Sequence, residues 1–138
     1  MRASDVSLLI LRLTMAVVMF PHGAQKALGW FGGPGIQGVV AGLSGHLDLP
    51  APLVYLVIAL EFLGPILLVL GVLTRLVALG LTVDMAVAAI LVHLPNGFFM
   101  NFSGKQAGEG VEFFVLLVGI GLALVVGGPG RIALMKKI

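Results

Sequence analysis

The sequence predicts an all-α protein, a four-helix transmembrane bundle with a short interfacial helix between its first and second spans. Three observations predict it. Of 138 residues, 59% are hydrophobic and only 10% are charged, whereas a soluble domain carries roughly 25% charged residues. So few charges cannot cover a water-facing surface, and the mean hydropathy of +1.17 agrees. The apolar residues fall into four segments, 6–28, 51–72, 76–94 and 111–128, each near the ~20 residues a helix needs to cross a bilayer. Only Leu73-Thr74-Arg75 separates the second from the third, which makes those two an antiparallel pair. Helices are the form such segments take, because an open strand would leave its backbone unpaired in lipid.

The first segment begins with Arg2 and an apolar run, as a signal peptide does. It also carries Arg12, continues past twenty residues and offers no small-residue cleavage site before Pro21. A retained signal-anchor helix is the expectation. It ends in Met19–Ile36, MFPHGAQKALGWFGGPGI, where His22 and Lys26 are four apart and share one helix face. In the connection 29–50, Ile36, Val39, Val40, Leu43 and Leu47 recur at helical spacing. Gly38, Gly42 and Gly45 weaken that helix by roughly 1 kcal/mol each relative to Ala. A short helix lying in the membrane interface, or re-entering it, is expected, with Trp30 and Phe31 as interfacial aromatics. In the connection after the third segment, Phe98 and Phe99 are placed to fold back over the bundle end. The fourth segment carries Gly119, Ala123 and Gly127 at four-residue spacing. Such a face allows close packing within the bundle or between protomers of a homo-oligomer. No repeat or second domain is visible, so residues 1–138 read as one transmembrane domain in the lipid bilayer.

Orientation follows from lysine and arginine. Four spans put both ends on one side, together with Arg2, Arg75, Arg131, Lys136 and Lys137, and leave Lys26 and Lys105 opposite. Both termini are therefore expected in the cytoplasm. The net charge of +2 is spread over few groups, with no basic patch on a polar surface, which argues against nucleic acid as a partner. There is no cysteine, which excludes disulfides, thiolate metal sites and cysteine nucleophiles in this chain. No local ligand spacing marks a metal site, and no catalytic constellation is assigned.

Charged residues inside such segments are costly and need partners. Counting depth at ~1.5 Å per residue puts Arg12 roughly 9 Å, Asp84 roughly 13 Å and Glu61 roughly 16 Å inside their helices. These three form an expected inner layer, with Arg12 paired to Glu61 or Asp84 as a structural ion pair or a proton site. An outer layer gathers His22, Lys26, His93 and Glu112 in one cavity capped by Trp30 and Phe31. Such a group could relay protons, hydrogen-bond a quinone carbonyl, or simply be wetted by headgroups. Asp84 and His93 are nine residues apart, half a turn off on an ideal helix, so both cannot face the bundle axis squarely.

The pieces HGAQKALGWFGGPG, EFLGPILLVLGVLTR, VHLPNGFF, GVEFF and the terminal GPGR, in that order, resemble the DoxX family of small bacterial membrane proteins. The resemblance covers almost the whole chain and implies a four-helix transmembrane bundle in the bacterial inner membrane. Its motif positions fall on His22, Lys26, Gly29, Phe31, Gly32, Glu61, Arg75, His93 and Glu112. The family's name comes from the membrane subunit of an archaeal thiosulfate:quinone oxidoreductase, and other members are linked to redox complexes and oxidative-stress defence. The implied function is the membrane subunit of a redox system that binds quinone near the outer face. The alternative is a non-enzymatic scaffold, or a conduit for protons or a small solute. With no haem-ligand pair at matched depth, no flavin or nucleotide motif and no cysteine, the chain needs a bound carrier or a soluble or membrane redox partner to take part in electron transfer. The orientation is tested by labelling: cysteines introduced as Ser44→Cys and Lys137→Cys are expected to react from opposite sides of the membrane, and reaction from one side refutes the four-span topology.

Overall fold

The computed structural model describes residues 1–137, and among them there is no strand. Five α-helices follow one another: α1 Ala3–Leu28, α2 Gly35–Leu47, α3 Ala51–Leu70, α4 Thr74–Ala88 and α5 Glu112–Gly127. A π-helical turn, Ala89–His93, and a 3-10 turn, Leu94–Asn96, continue α4. Three helical stretches are long and apolar enough to cross a membrane: Ala3–Leu28, Ala51–Leu70 and Thr74–Asn96. The apolar α5 is shorter, at 16 residues.

The four longer helices pack in a ring, α1 on α3, α3 on α4, α4 on α5 and α5 back on α1. Met15, Met19, Leu68, Leu81 and Leu124 fill its interior. The helix expected between the first two segments is α2. It lies across α1 and α3, and its Val39 packs with Val54 and Ile58 in a second apolar cluster.

The register of α1 on α3 differs from the depth count. Arg12 reaches the carbonyls of Leu68 and Val69 at the very end of α3, and Gly23 meets the middle of α3 at Glu61. The first helix is thus displaced toward the chain termini. Beyond Gly23 the last turn of α1 continues past Glu61, and its Ala27 joins Val39 of α2 against Val54 and Ile58 in the first half of α3. Gly23 allows this crossing, since a Cβ there would sit 2.6 Å from the Phe62 Cα.

Displacement changes the partner of Arg12. The expected ion pair with Glu61 or Asp84 is not formed. The guanidinium, 1% exposed, donates Nε to Leu68 O at 2.8 Å and Nη2 to Val69 O at 2.9 Å. Its Nη1 donates to Pro129 O and Ile132 O, both at 2.7 Å. The end of a helix leaves carbonyls without intrahelical donors, and a cation there also meets the negative end of the helix dipole. Arg75 does the same for α5, donating to the carbonyls of Val125 and Val126.

The tail after α5 is held by these contacts and by Asp5, whose carboxylate accepts the Arg2 N–H at 2.9 Å and the Arg131 N–H at 3.1 Å. Leu134 and Met135 then donate to Leu70 O and Gly71 O. Both chain ends and the α3–α4 turn therefore lie at one end of the ring, called here the terminal end. The other is the loop end.

One packing expectation holds in part and one is corrected: of the small residues on α5, Gly127 packs closely within the bundle, where a Cβ would lie 2.5 Å from Leu8 Cδ2. Gly119 and Ala123 face outward, and a Cβ on Gly119 would meet nothing within 4 Å. The close approach of α5 to α4 is made at Gly121, against Thr82. The rings of Phe98 and Phe99 are exposed. It is their main chain that turns back, with Phe98 O accepting the N–H of Glu112 and Phe99 O that of Gly110.

Replacing Arg12 with Met is expected to strand four carbonyls. Each hydrogen bond from a charged donor contributes about 1.5–3 kcal/mol, a large share of a typical ~5–15 kcal/mol total. Thermal unfolding in detergent is expected to show a strongly lowered Tm, with Arg12→Lys intermediate. A Tm within about 2 °C of the unmodified protein, well under 1 kcal/mol for a chain this size, contradicts this role.

Candidate functional site

Lys26 and Glu61 form the ion pair at the centre of the site. Glu61 is 1% exposed, while the lysine side chain retains 30% exposure. Their meeting follows from the α1–α3 crossing: Gly23 touches α3 at Glu61, and Lys26 is one turn further along α1. The pairing satisfies the rule that a buried charge must be matched. It also joins the two layers expected to be separate, since the Lys26 ammonium reaches back from one turn beyond Gly23 to the Glu61 carboxylate.

Asp84 on α4 reaches the same point, with its carboxyl within hydrogen-bonding reach of that of Glu61. Its Oδ2 is buried without a hydrogen-bond partner among the described residues. Two acids and one base from three helices thus meet in a small volume. Their charges balance with one further proton or cation.

The ion pair opens onto a cavity of about 380 Å³. Met19, Met85, Phe113 and Phe114 supply apolar wall, and His22, His93 and Glu109 add polar groups. His22 lies on the exposed side of α1. His93 arrives through the π-helical turn, where one extra residue per turn shifts the phase of α4. The half-turn mismatch between Asp84 and His93 on an ideal helix is reduced there by about 100°, the angle one extra residue is worth. The His93 ring stacks on Phe114 with centroids 4.4 Å apart, and its Nδ1 is 3.0 Å from Glu109 O. That contact leaves Nε2 free to face a ligand.

Of the six residues expected in the outer cavity, His22, Lys26 and His93 are brought together. Glu112 is not: its Oε1 accepts the Met100 N–H at 2.9 Å and so holds the α4–α5 connection. Trp30 and Phe31 do not cap the cavity, being 54% and 65% exposed. Phe31 has a left-handed backbone, φ 53°, in a turn that packs elsewhere: a Cβ on Gly33 would lie 2.5 Å from the Gln25 Cα. Among the inner three, Glu61 and Asp84 come together and Arg12 stands apart at the end of α3.

Glu109 and the Phe113-Phe114 pair belong to the cavity without any spacing that marks them. Glu109 lies in a polar connection, and only the fold-back of that connection carries it to the helix ends. The GVEFF motif contains both phenylalanines, and it is the one signal that touches them. No group of three or more His, Asp or Glu among the described residues is arranged to hold a metal ion.

This constellation lies within residues 7–94 for every polar member except Glu109, and those are the residues matched by the DoxX family model. The chain belongs to the DoxX family. Among curated relatives of this DoxX protein, the Bacillus subtilis (strain 168) protein named "Putative oxidoreductase CatD" is 27% identical over 123 residues, covering 89% of this chain and 81% of the relative. Two Haemophilus influenzae proteins named "Uncharacterized protein" are each 31% identical, one over 98% of this chain and 87% of its own length, the other over 94% and 89%. No solved structure matches the chain significantly. It is thus a multi-pass membrane protein of the DoxX family, similar in sequence to a protein with an oxidoreductase name.

A double-mutant cycle distinguishes the observed pairing from the one expected by depth. Lys26→Met and Glu61→Gln are expected to be non-additive in thermal stability, with a coupling of about 1–3 kcal/mol. Arg12→Met and Glu61→Gln are expected to be additive within about 0.5 kcal/mol. Coupling of Arg12 and not Lys26 to Glu61 refutes the register of α1 on α3.

Proposed function

We propose that this DoxX protein is the membrane subunit of a redox or oxidative-stress system and that the cavity beside Lys26 and Glu61 binds a quinone. In this reading all four longer helices span the bacterial inner membrane with both termini cytoplasmic, α2 lies in the outer interface, and the cavity opens toward that face. The observation that carries the reading is the Lys26–Glu61 pair set into an apolar-walled cavity. A quinone ring needs one or two hydrogen-bond donors and its tail needs lipid-like walls, and ligand sites generally combine apolar walls with a few convergent polar groups. Lys26 supplies a donor, His93 supplies a second at Nε2 when its ring is protonated, since Nδ1–H is already held by Glu109 O, and Phe113 and Phe114 supply flat apolar surface.

Reduction of a quinone to its quinol takes up two electrons and two protons. In this proposal the electrons come from a reduced redox partner subunit, and this chain binds the ring and handles the protons. Glu61 and Asp84, touching one another behind Lys26, are the groups that hold a proton and pass it to the ring. The unpartnered Asp84 Oδ2 also favours a second reading, in which the three-helix charge cluster is a proton conduit and no quinone binds.

The test is the quinone content of protein purified in mild detergent, together with its affinity for a short-tailed quinone. Bound quinone is expected in the unmodified protein. The variant Lys26→Met/Glu61→Leu replaces the ion pair by apolar groups, a change that often preserves stability. It is expected to lose at least about tenfold in affinity, or 1.4 kcal/mol. If no quinone is found and none binds, the quinone reading fails. Proton transfer that depends on Asp84 in that same protein would favour the conduit.

A further inference from the structure

The terminal end of the ring carries a second cavity, of about 630 Å³, remote from the Lys26–Glu61 pair and unused by the proposed function. Five cationic side chains line it, Arg2, Arg75, Arg131, Lys136 and Lys137, against a single acid, Asp5. They come from the chain start, the start of α4 and the tail, so the fold and not a run in the sequence assembles them. Asp5 is already engaged, since its two oxygens accept the main-chain N–H groups of Arg2 and Arg131. Among the described residues, Arg75, Arg131, Lys136 and Lys137 have no carboxylate within ion-pair distance. Arg75 anchors one wall through Nη1 on the last carbonyls of α5.

The tail builds the rest of the cavity. Gly128 and Gly130, at φ 74° and 73°, bend it across the end of α5, and Leu134 and Met135 fasten it to Leu70 and Gly71. Lys136 and Lys137 follow directly. Among the described residues the concave site is thus left with four more positive than negative side chains, a surplus that calls for an anion.

We propose that this cavity binds the phosphate headgroup of an anionic phospholipid of the adjoining leaflet. The cavity sits where three membrane-length helical segments begin or end. Below it, the outward faces of α1 and α4 are apolar, with Ile10 56% and Leu76 59% exposed. A headgroup in the cavity places its acyl chains along those faces. A soluble phosphate uses the cations and leaves the apolar faces unused. Basic pockets next to transmembrane helices recognise anionic headgroups by this combination of charge and depth.

The experiment is thermal unfolding of the full chain in neutral detergent with added phosphatidylglycerol, phosphatidylcholine or inorganic phosphate at equal concentration. Phosphatidylglycerol is expected to raise Tm by about 5 °C, the size expected for a ligand well above its Kd. The other two are expected to leave Tm within about 1 °C. Arg131→Gln/Lys136→Gln/Lys137→Gln removes three exposed cations, and it is expected to fold and to lose the shift. Lys105→Gln, on the α4–α5 connection at the loop end, is expected to keep it. An equal shift with inorganic phosphate overturns the lipid assignment in favour of a soluble anion. An equal shift with phosphatidylcholine, no shift with any of the three, or a shift that survives the triple substitution overturns the site.

Discussion

The buried guanidinium of Arg12 is the contact on which the rest of the structure depends. An arginine cannot shed its charge, so burying it requires acceptors on every side. It finds them in four main-chain carbonyls, two at the end of α3 and two in the tail. A carboxylate would have neutralised the charge at one point. Carbonyls from two segments instead tie three parts of the chain together, and they do so at a helix end whose carbonyls lack donors of their own. The tail, which has no regular structure, is folded because α1 and the α3–α4 turn give its polar groups partners.

The same contact sets the register of α1 along α3, and the register sets the site. With Arg12 at the end of α3, Gly23 falls opposite Glu61 and Lys26 reaches its carboxylate. A side chain at Gly23 would push the two helices apart at the point where the ion pair closes. Near the start of α3 the end of α1 leaves Val54 and Ile58 only partly covered, and α2 completes the cover with Val39. Its interrupted apolar spacing and its glycines suit a helix that fills a gap rather than one that crosses a bilayer.

The π-helical turn at Ala89–His93 is the other device that makes the cavity. Without it, Asp84 and His93 point to opposite sides of α4. With it, one residue completes the charge cluster and the other lines the cavity wall. An extra residue in a helical turn costs hydrogen-bond geometry and is found mostly where a side chain has to be re-aimed. Here it brings His93 onto Phe114, beside the cavity.

Composition and periodicity determined the helical class, three of the four membrane-length segments, the antiparallel α3–α4 pair, and α2 with its apolar face. These are local properties, carried by residues within one or two turns of each other. Part of the cavity lining was also legible, because a charge in an apolar segment is conspicuous: His22, Lys26, Glu61, Asp84 and His93 all stand at the cavity or beside it. The pairing among them was not legible. Depth counted from segment ends assumes that all helices start at the same level, and the displacement of α1 by Arg12 and Gly23 breaks that assumption. Lys26 therefore takes the place at Glu61 that the count assigns to Arg12. Glu109 stands at the cavity in place of the expected Glu112 for a similar reason: a fold-back of irregular chain carries no period from which a side chain's direction can be read. Tertiary structure alone decided which charges meet, because helix register and loop path are set by a few long-range contacts that leave no local pattern.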